Sequence, residues 1–269
     1  RTTVPSDHFY LTTAAGATGS SVGRRFTKRV QKEWKLLRRN LPPNMTVLGY
    51  ESRMDLMRAI MVGPRGTPYA DCLFVFDIEL PVDKYPLEPP RVHFWSFGER
   101  LNPNLYESGK VCLSLLGTWS GDQNEQWNPA KSSIVQVLVS LQALVLVEEP
   151  YFNEPGHETD RGTEDGTRRS RQYFEHARLL SLRSVIRMYR RPPAGLEDIV
   201  RAYFDAASVR DVLLQGEVED VESEVGDSGD SGKSGNSRGS GEVKTEERSS
   251  GFLRAHRGVI ARIRAAFDM

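Results

Sequence analysis

Residues 101–116 read LNPNLYESGKVCLSLL, and this stretch holds the features on which the fold assignment depends. Asparagine, proline and glycine interrupt any regular apolar period here, so the stretch predicts a loop. The loop contains Cys112, one of the two cysteines of the chain. A lone cysteine is most often a small buried apolar side chain, but one in a loop among Gly, Asn and Lys is a candidate reactive thiol.

The second cysteine has a different sequence environment. Cys72 lies in the run 72–80, which predicts a half-buried strand and a structural role for this thiol. Within this run, Phe74, Phe76, Ile78 and Leu80 alternate with Asp77, Glu79 and one extra apolar residue, Val75. Two cysteines and five scattered histidines give neither a disulfide framework nor the spacing of a zinc site. We therefore expect no metal and a reducing compartment, cytoplasmic or nuclear.

Strand patterns precede the loop. Four segments, around 47–50, 56–62, 72–80 and 91–95, have the composition of β-strands. Proline-rich turns lie between the second and third strands and between the third and fourth. Consecutive strands joined by short connections predict an antiparallel meander.

Helical patterns lie on both sides of the strands and the loop. Apolar residues at steps of three and four over residues 26–41 predict an amphipathic helix with a basic outer face, which Pro42 and Pro43 end. Residues 134–145 are apolar almost all round and predict a buried helix. A further helix is predicted over about 170–190.

The overall charge is balanced, because 36 Lys and Arg residues face 36 Asp and Glu residues. A neutral chain is not a uniformly basic nucleic-acid-binding protein, so no nucleic-acid partner is expected. The longest apolar stretch, residues 134–147, is shorter than the roughly 20 residues of a membrane-spanning helix. No membrane association is expected either.

The composition changes towards the end of the chain. Residues 217–230 carry seven acidic and no basic side chains, and Ser and Gly dominate the residues that follow. Such a segment cannot bury enough apolar surface to fold. We therefore expect a flexible N-terminal segment, a folded core, an acidic linker and a short C-terminal helix, over 1–23, 24–205, 206–250 and 251–269. Because residue 1 is Arg rather than Met, the chain is expected to be a piece of a longer protein.

Five short motifs stand in a fixed order along residues 26–204. They are Gly63-Pro64 with Thr67-Pro68-Tyr69, Tyr85-Pro86 with Pro89-Pro90, Asn102-Pro103-Asn104, Gly109 to Leu113, and Trp127-Asn128-Pro129. In this order they resemble the ubiquitin-conjugating (E2) enzymes. The resemblance implies an α+β fold with an N-terminal helix, a four-stranded antiparallel meander, an active-site loop, a buried central helix and C-terminal helices. The insertion after Leu116 and the residues around Pro150 resemble the very large E2/E3 hybrid branch.

The resemblance also implies a reaction. Cys112 is expected to accept the C-terminal glycine of ubiquitin from an activating enzyme (E1) as a thioester, which a substrate lysine then attacks. No cofactor is implied, because ATP is used upstream by E1. Asn104 is implied to donate to the developing oxyanion or to order the loop. Glu154 is the nearest match to the acidic residue that orients the acceptor lysine in this family.

The implied partners are ubiquitin, E1 and protein substrates with acceptor lysines, with E3 ligases as a further class. Three residues, Leu87, Pro129 and Ala130, fall on loops that family members present to E1 and to ligases. The basic face of the first helix, with Arg25, Lys28 and Arg29, is expected to lie beside these loops. A plain solvated face is the alternative interpretation of those cations.

Two departures from the family pattern affect the active-site loop. Asn102 stands where most members have a histidine, so we expect an altered loop rather than an inactive enzyme. The segment between Cys112 and Trp127 is longer than usual, and its residues 117–125 should lie beside the cysteine. They either restrict acceptors and shield the thioester, or form a tolerated loop.

Three other functions stay open at this point. The chain could be a catalytically silent E2-like scaffold that binds ubiquitin, or it could conjugate a ubiquitin-like modifier. A papain-like cysteine hydrolase is the third, and it needs a general-base histidine. His93 and His157 are the central candidates for that base, and neither has a hydrolase signature around it.

Overall fold

The computed structural model describes residues 3–12, 23–119, 125–215 and 248–268. Four strands form one antiparallel sheet in the order β1-β2-β3-β4, so the predicted meander is confirmed. The strands are β1 Met45–Gly49, β2 Leu56–Val62, β3 Leu73–Glu79 and β4 Arg91–Phe94. The helices are α1 Arg24–Asn40, α2 Ile134–Ser140, α3 Glu164–Arg190, α4 Glu197–Asp205, α5 Ala207–Gln215 and α6 Ser250–Phe267. The fold is α+β, as expected.

The first helix buries the predicted apolar stripe. Phe26, Val30 and Leu37 are buried, and the helix ends where Leu41 turns extended before Pro42. The same stripe also buries Glu33, the one acidic residue of the helix. A buried carboxylate needs partners for its charge, and Glu33 has them in Arg29 and the hydroxyl of Tyr85.

The third strand is more buried than its alternating pattern predicts. Every residue of β3 is buried, including Asp77 and Glu79, and Arg58 on β2 is buried as well. Arg58 stands directly opposite Asp77 in the register and donates to both of its carboxylate oxygens, at 2.6 and 3.0 Å. The prediction of a half-buried strand is therefore wrong, because another segment covers the outer face of the sheet.

The covering segment is residues 5–11, which we call the N-terminal strap. Asp7 pairs with Arg58 at 3.1 Å and accepts from the backbone N–H of Ala194 at 2.6 Å. The imidazole Nε2 of His8 lies 3.0 Å from the carbonyl oxygen of Met57. Tyr10 is buried, although residues 1–23 were expected to be flexible. Side chains of the strap thus complete the hydrogen bonds of charges that the sheet buries.

The central helix is only partly as predicted. Ile134 and Leu138 are fully buried in α2, and a π-helical segment, Leu141–Val145, continues it. Val139 and Leu144 are nevertheless 38% and 58% exposed, so the expectation of burial all round is wrong. One side of the helix packs against the core, and Leu144 faces a cleft.

The C-terminal helix packs back on the core. In α6, the ring of Phe267 lies 4.7 Å from that of Tyr189 on α3 and 5.9 Å from that of Phe204 on α4. The helix α5 lies in the segment expected to be linker, whereas the acidic run 217–230 falls outside the described residues. The domain boundaries stay predictions. Within the described ranges, every helix is too short or too polar to cross a bilayer.

Candidate active site

The loop that carries Cys112 folds back on itself. Leu105 and Val111 form an isolated antiparallel bridge, which brings Cys112 next to Asn104. The backbone N–H of Cys112 donates to the carbonyl oxygen of Asn104 at 2.9 Å. The side-chain Nδ2 of Asn104 donates in return to the carbonyl oxygen of Cys112 at 3.0 Å. The backbone of Cys112 is therefore held on both sides by one residue.

Asn102 ties this loop to the core. Its Nδ2 donates to the carbonyl oxygen of Val145 at 2.7 Å and to the hydroxyl of Tyr69 at 2.8 Å. Its Oδ1 accepts from the backbone N–H of Asn104 at 2.8 Å. Since Asn102 is fully buried, each of these bonds replaces one that water would otherwise make. The asparagine at this departure from the family pattern thus fastens the loop to the end of the central helix.

Cys112 lines an open cleft of about 650 Å³. Lys110, Glu125 and Glu158 contribute charged groups to the walls, and Leu144 and Phe152 contribute apolar surface. Only 2% of the surface of Cys112 is exposed, so a reacting group must enter the cleft to reach the thiol. The insertion contributes Thr118, Trp119 and Glu125 to the walls, while its residues 120–124 lie outside the described part of the chain.

The other cysteine is structural. Cys72 is completely buried in the hydrophobic core, and burial raises the pKa of its thiol to about 11. The cationic Arg178, with Nη1 3.9 Å from Sγ, only partly offsets this effect. A thiol with this pKa holds a negligible fraction of thiolate near neutral pH.

The two histidines considered as general bases are engaged elsewhere. The imidazole of His93 stacks on the ring of Phe9, and burial lowers its pKa. His157 stacks on Tyr151 with ring centroids 4.3 Å apart. Among the described residues that line the Cys112 cleft there is no histidine, and the described residues form no cluster of His, Cys, Asp or Glu that could hold a metal ion. The geometry does not favour a papain-like hydrolase.

Known proteins with similar sequences identify the family to which this architecture belongs. The family model of the ubiquitin-conjugating enzymes matches residues 29–180, more than half of the chain. The chain belongs to this family. It is 50% identical over 208 residues to the probable ubiquitin-conjugating enzyme E2 25 of Arabidopsis thaliana, covering 77% of this chain and 34% of that relative.

Two further relatives share the same region. The probable ubiquitin-conjugating enzyme E2 24 of Arabidopsis thaliana is 52% identical over 199 residues, covering 74% of this chain and 22% of the relative. The human dual E2 ubiquitin-conjugating enzyme/E3 ubiquitin-protein ligase BIRC6 is 40% identical over 206 residues, covering 74% and 4% respectively. The chain thus spans about a third or less of the length of these relatives.

In this ubiquitin-conjugating enzyme, the carboxylate of Glu154 is engaged by a cation. Its carboxylate pairs with Nη2 of Arg100 at 3.1 Å, and the guanidinium of Arg100 lies 4.7 Å from the ring centroid of Tyr106. Glu158, four residues further along the chain, lines the cleft instead. The role of Glu154 in orienting an acceptor lysine stays a prediction.

The residues predicted to bind partners come together at one end of this enzyme. The indole of Trp127 donates to the carbonyl oxygen of Pro86 at 2.8 Å, which joins the loops that carry Leu87 and Pro129. Leu87 is 76% exposed, a high value for a large apolar side chain. The neighbouring Ala130 is exposed and Pro129 is half-buried.

The cations of α1 divide into two kinds. Arg25 and Lys28 are exposed, as a docking surface requires. Arg29 instead pairs with the buried Glu33 at 2.7 Å and donates to the carbonyl oxygens of Ser132 and Pro129, at 2.7 and 3.5 Å. The guanidinium of Arg29 is therefore a structural link between α1 and the loop before α2.

Glu33 is the centre of that link. Its carboxylate accepts from the hydroxyl of Tyr85 at 2.7 Å and from the backbone N–H of Ile134 at 3.0 Å, besides its ion pair with Arg29. One buried group thus joins the helix to the loop that follows Tyr85 and to the loop before α2. The sequence does carry a signal for it, because this acidic residue stands at an apolar-stripe position.

Proposed function

We propose that this ubiquitin-conjugating enzyme carries ubiquitin as a thioester on Cys112 and transfers it to the lysine of a protein substrate. The observation that carries this proposal is the contrast between the two thiols. Cys112 lines an open cleft on a backbone that Asn104 fixes, whereas Cys72 lies in the core with a raised pKa. Residues 109–113 also match the motif around the acceptor cysteine of the family.

Two acyl transfers make up the proposed reaction. In the first, the sulfur of Cys112 attacks the thioester carbonyl of E1-bound ubiquitin, so a new C–S bond forms while the bond to the E1 sulfur breaks. In the second, the lysine nitrogen attacks the same carbonyl, an isopeptide bond forms and the sulfur of Cys112 leaves. The amine loses a proton during this attack, and the departing sulfur takes up a proton to restore the thiol. No bound cofactor is needed, because ATP has already activated the glycine on E1.

The cleft supplies carboxylates for an incoming amine. Glu125 and Glu158 line it, and the ammonium form of a lysine is attracted to such groups before it loses its proton. Glu154 stays a candidate for orienting the acceptor, although its carboxylate is shared with Arg100. We assign Asn104 two roles: it orders the loop in the resting enzyme, and it presents a side-chain N–H near the carbonyl under attack.

The proposed partners are ubiquitin, E1, E3 ligases and substrates with acceptor lysines. The exposed face of α1, with Arg25 and Lys28, and the loops of Leu87, Pro129 and Ala130 form the proposed docking end for E1 and ligases. We also propose that the chain belongs to an E2/E3 hybrid. The support is its sequence motifs and its 40% identity to a relative named as a dual enzyme.

The test mixes this chain with E1, ATP and ubiquitin and separates the products on a non-reducing gel. We expect one adduct, heavier by one ubiquitin, that a reductant removes. Cys112→Ala should abolish the adduct, and the matched variant Cys72→Ala should leave it. Cys112→Ser should give an adduct that resists reductant, because an alkoxide is a poorer leaving group than a thiolate.

Each remaining result has a definite meaning. An adduct that survives in Cys112→Ala overturns the assignment of the thiol. No adduct in the wild-type chain with any E1 indicates the catalytically silent scaffold. Loading with a ubiquitin-like modifier and its own E1, but not with ubiquitin, overturns ubiquitin specificity and leaves the acyl-transfer chemistry.

A further inference from the structure

We propose that the N-terminal strap is part of the catalytic unit: Phe9 holds His93 against Gly109 and thereby positions the loop that carries Cys112. This inference rests on the proposed function only in that Cys112 is the reacting group. Phe9 and His93 are positioning residues, because they act on the thiol through the backbone of the loop.

The first contact is between the strap and β4. The rings of Phe9 and His93 are stacked with centroids 3.5 Å apart and planes 4° from parallel. Phe9 is still 54% exposed, so its phenyl group is not a core side chain. Its backbone N–H donates to Oδ2 of Asp77 at 2.9 Å, which fixes the position from which the ring reaches His93.

The second contact is between His93 and the active-site loop. Gly109 has a φ of +83°, which favours glycine, and a Cβ there would overlap the imidazole of His93. The backbone N–H of Phe94 donates to the carbonyl oxygen of Gly109 at 2.8 Å, and His93 and Lys110 form an isolated antiparallel bridge. The imidazole therefore contacts the strap and the loop at once.

Only two residues, Lys110 and Val111, lie between Gly109 and Cys112, and both ends of this short span are fixed. The His93 contact and the bridge to Lys110 hold one end, and the Asn104 bonds hold the other. Lys110 itself lines the Cys112 cleft. A shift of the imidazole therefore moves backbone next to the thiol, and small misplacements of a reacting group lower rates steeply.

The strap has anchors that do not depend on the phenyl group. Asp7 bonds to Arg58 and to the N–H of Ala194, and His8 bonds to the carbonyl oxygen of Met57. Phe9 can therefore be truncated while the strap stays attached. Val4 offers a matched control, since it packs on the small cluster formed by Tyr10, Tyr50 and Leu56.

The experiment compares the full chain with Phe9→Ala, Phe9→Tyr and Val4→Ala. Amide hydrogen exchange of Gly109, whose N–H donates to the carbonyl oxygen of Tyr106 at 2.9 Å, reports the order of the loop. Single-turnover discharge of loaded enzyme to free lysine reports the chemistry. We expect Phe9→Ala to speed exchange at Gly109 and to slow discharge, each about three- to tenfold. Phe9→Tyr keeps the stack and Val4→Ala spares it, so both should match the wild type.

Two results would overturn the inference. One is exchange and discharge in Phe9→Ala at wild-type rates. The other is an equal effect of Val4→Ala, which would mean that general packing of the N-terminal residues against Tyr50 and Leu56, rather than the ring stack, orders the loop. If the wild-type chain takes no ubiquitin, the proposed function fails, whereas exchange at Gly109 and the alkylation rate of Cys112 by iodoacetamide still decide this inference.

Discussion

The side-chain amide of Asn104 donates to the backbone carbonyl of Cys112, eight residues later, at an N···O distance of 3.0 Å. The N–H of Cys112 donates back to the carbonyl oxygen of Asn104 at 2.9 Å, so the two residues form a closed pair. Oδ1 of Asn104 is buried and has no hydrogen-bond partner among the described residues. In the resting enzyme this amide orders the loop.

Replacing Asn104 by Ala removes the donor that holds the Cys112 carbonyl. We expect loading by E1 to slow by about tenfold, because the thiol is no longer positioned. Discharge to lysine should slow further, because the side-chain N–H near the carbonyl under attack is also lost. Single-turnover measurements of the two steps check this. A loss confined to discharge, of about 10²-fold, would leave only the role at the oxyanion and overturn the role in ordering the loop.

Replacing Glu33 by Ala should destabilise the fold strongly. The change leaves the hydroxyl of Tyr85 and the guanidinium of Arg29 without their buried acceptor. We expect the free energy of unfolding to fall by about 3–5 kcal/mol, measured by urea denaturation. Lys35→Ala, on the exposed face of the same helix, serves as the control and should stay within about 0.5 kcal/mol of the wild type.

The sequence predicts the framework of this enzyme well. An apolar period marks α1, because the helix buries one continuous face. Residue composition marks the four strands, but periodicity along β3 does not reveal that every residue of this strand is buried. The separation of the two cysteines into a core thiol and a cleft thiol also agrees with the sequence. A strand pattern around Cys72 and a loop composition around Cys112 are local properties.

The buried charges and the strap could not be predicted. Arg58, Asp77 and Asp7 meet from three segments far apart in the chain, and alternation along β3 marks Asp77 as a solvent-facing residue. A ten-residue segment such as 3–12 has no period to read. Its attachment depends on specific long-range hydrogen bonds, and Phe9 reaches His93 only because those bonds place it there.

Reversing the charge of Arg25 and Lys28 tests the docking end. We expect Arg25→Glu with Lys28→Glu to slow loading of Cys112 about tenfold at low salt, since rim charges act mainly on the association rate. The control is Arg183→Glu with Arg257→Glu, the same charge change at exposed positions of α3 and α6. Unchanged loading in the first variant would identify α1 as a solvated face.

Arg29 should be left out of that variant. Its guanidinium is bonded to Glu33 and to the Ser132 carbonyl, so Arg29→Glu should lower the stability of the fold. Slower loading could then come either from weaker docking of E1 or from partial unfolding.

Acid should loosen the strap. Burial lowers the pKa of His8, and the nearby Arg58 lowers it further, whereas the carboxylates of Asp77 and Asp7 raise it. Burial also lowers the pKa of His93, which faces Asp77 and His8. A detached strap restores an ordinary histidine pKa, about 6.5. The stabilisation from neutral His8 is therefore complete above about pH 6.5 and is lost as the pH falls towards the folded-state pKa.

The indole of Trp95 reports this transition, since its Nε1 donates to Oδ2 of Asp77 at 2.9 Å. Its NMR shift, followed from about pH 7.5 to about pH 5.5, should change in the wild type. The change should be much smaller in His8→Gln, which does not titrate. An equal change in both proteins would contradict the assignment to His8.

Limited proteolysis tests the expected linker. We expect the first cut within residues 217–230, giving two fragments on a denaturing gel that co-elute in gel filtration, because α6 packs on α3 and α4. The cut enzyme should still load ubiquitin. Phe267→Ala removes the ring next to Tyr189 and Phe204 and should let the fragments separate. Resistance of residues 217–230 to protease would contradict the linker prediction.

β4 lies at the edge of the sheet, so the active-site loop that packs on it also affects aggregation. An edge strand presents unpaired N–H and carbonyl groups to any other chain. Here the loop occupies part of that edge, through the Phe94–Gly109 hydrogen bond and the bridge between His93 and Lys110. A substitution that frees the loop therefore exposes a template for intermolecular strand pairing, so variants of this loop should lose solubility as well as activity.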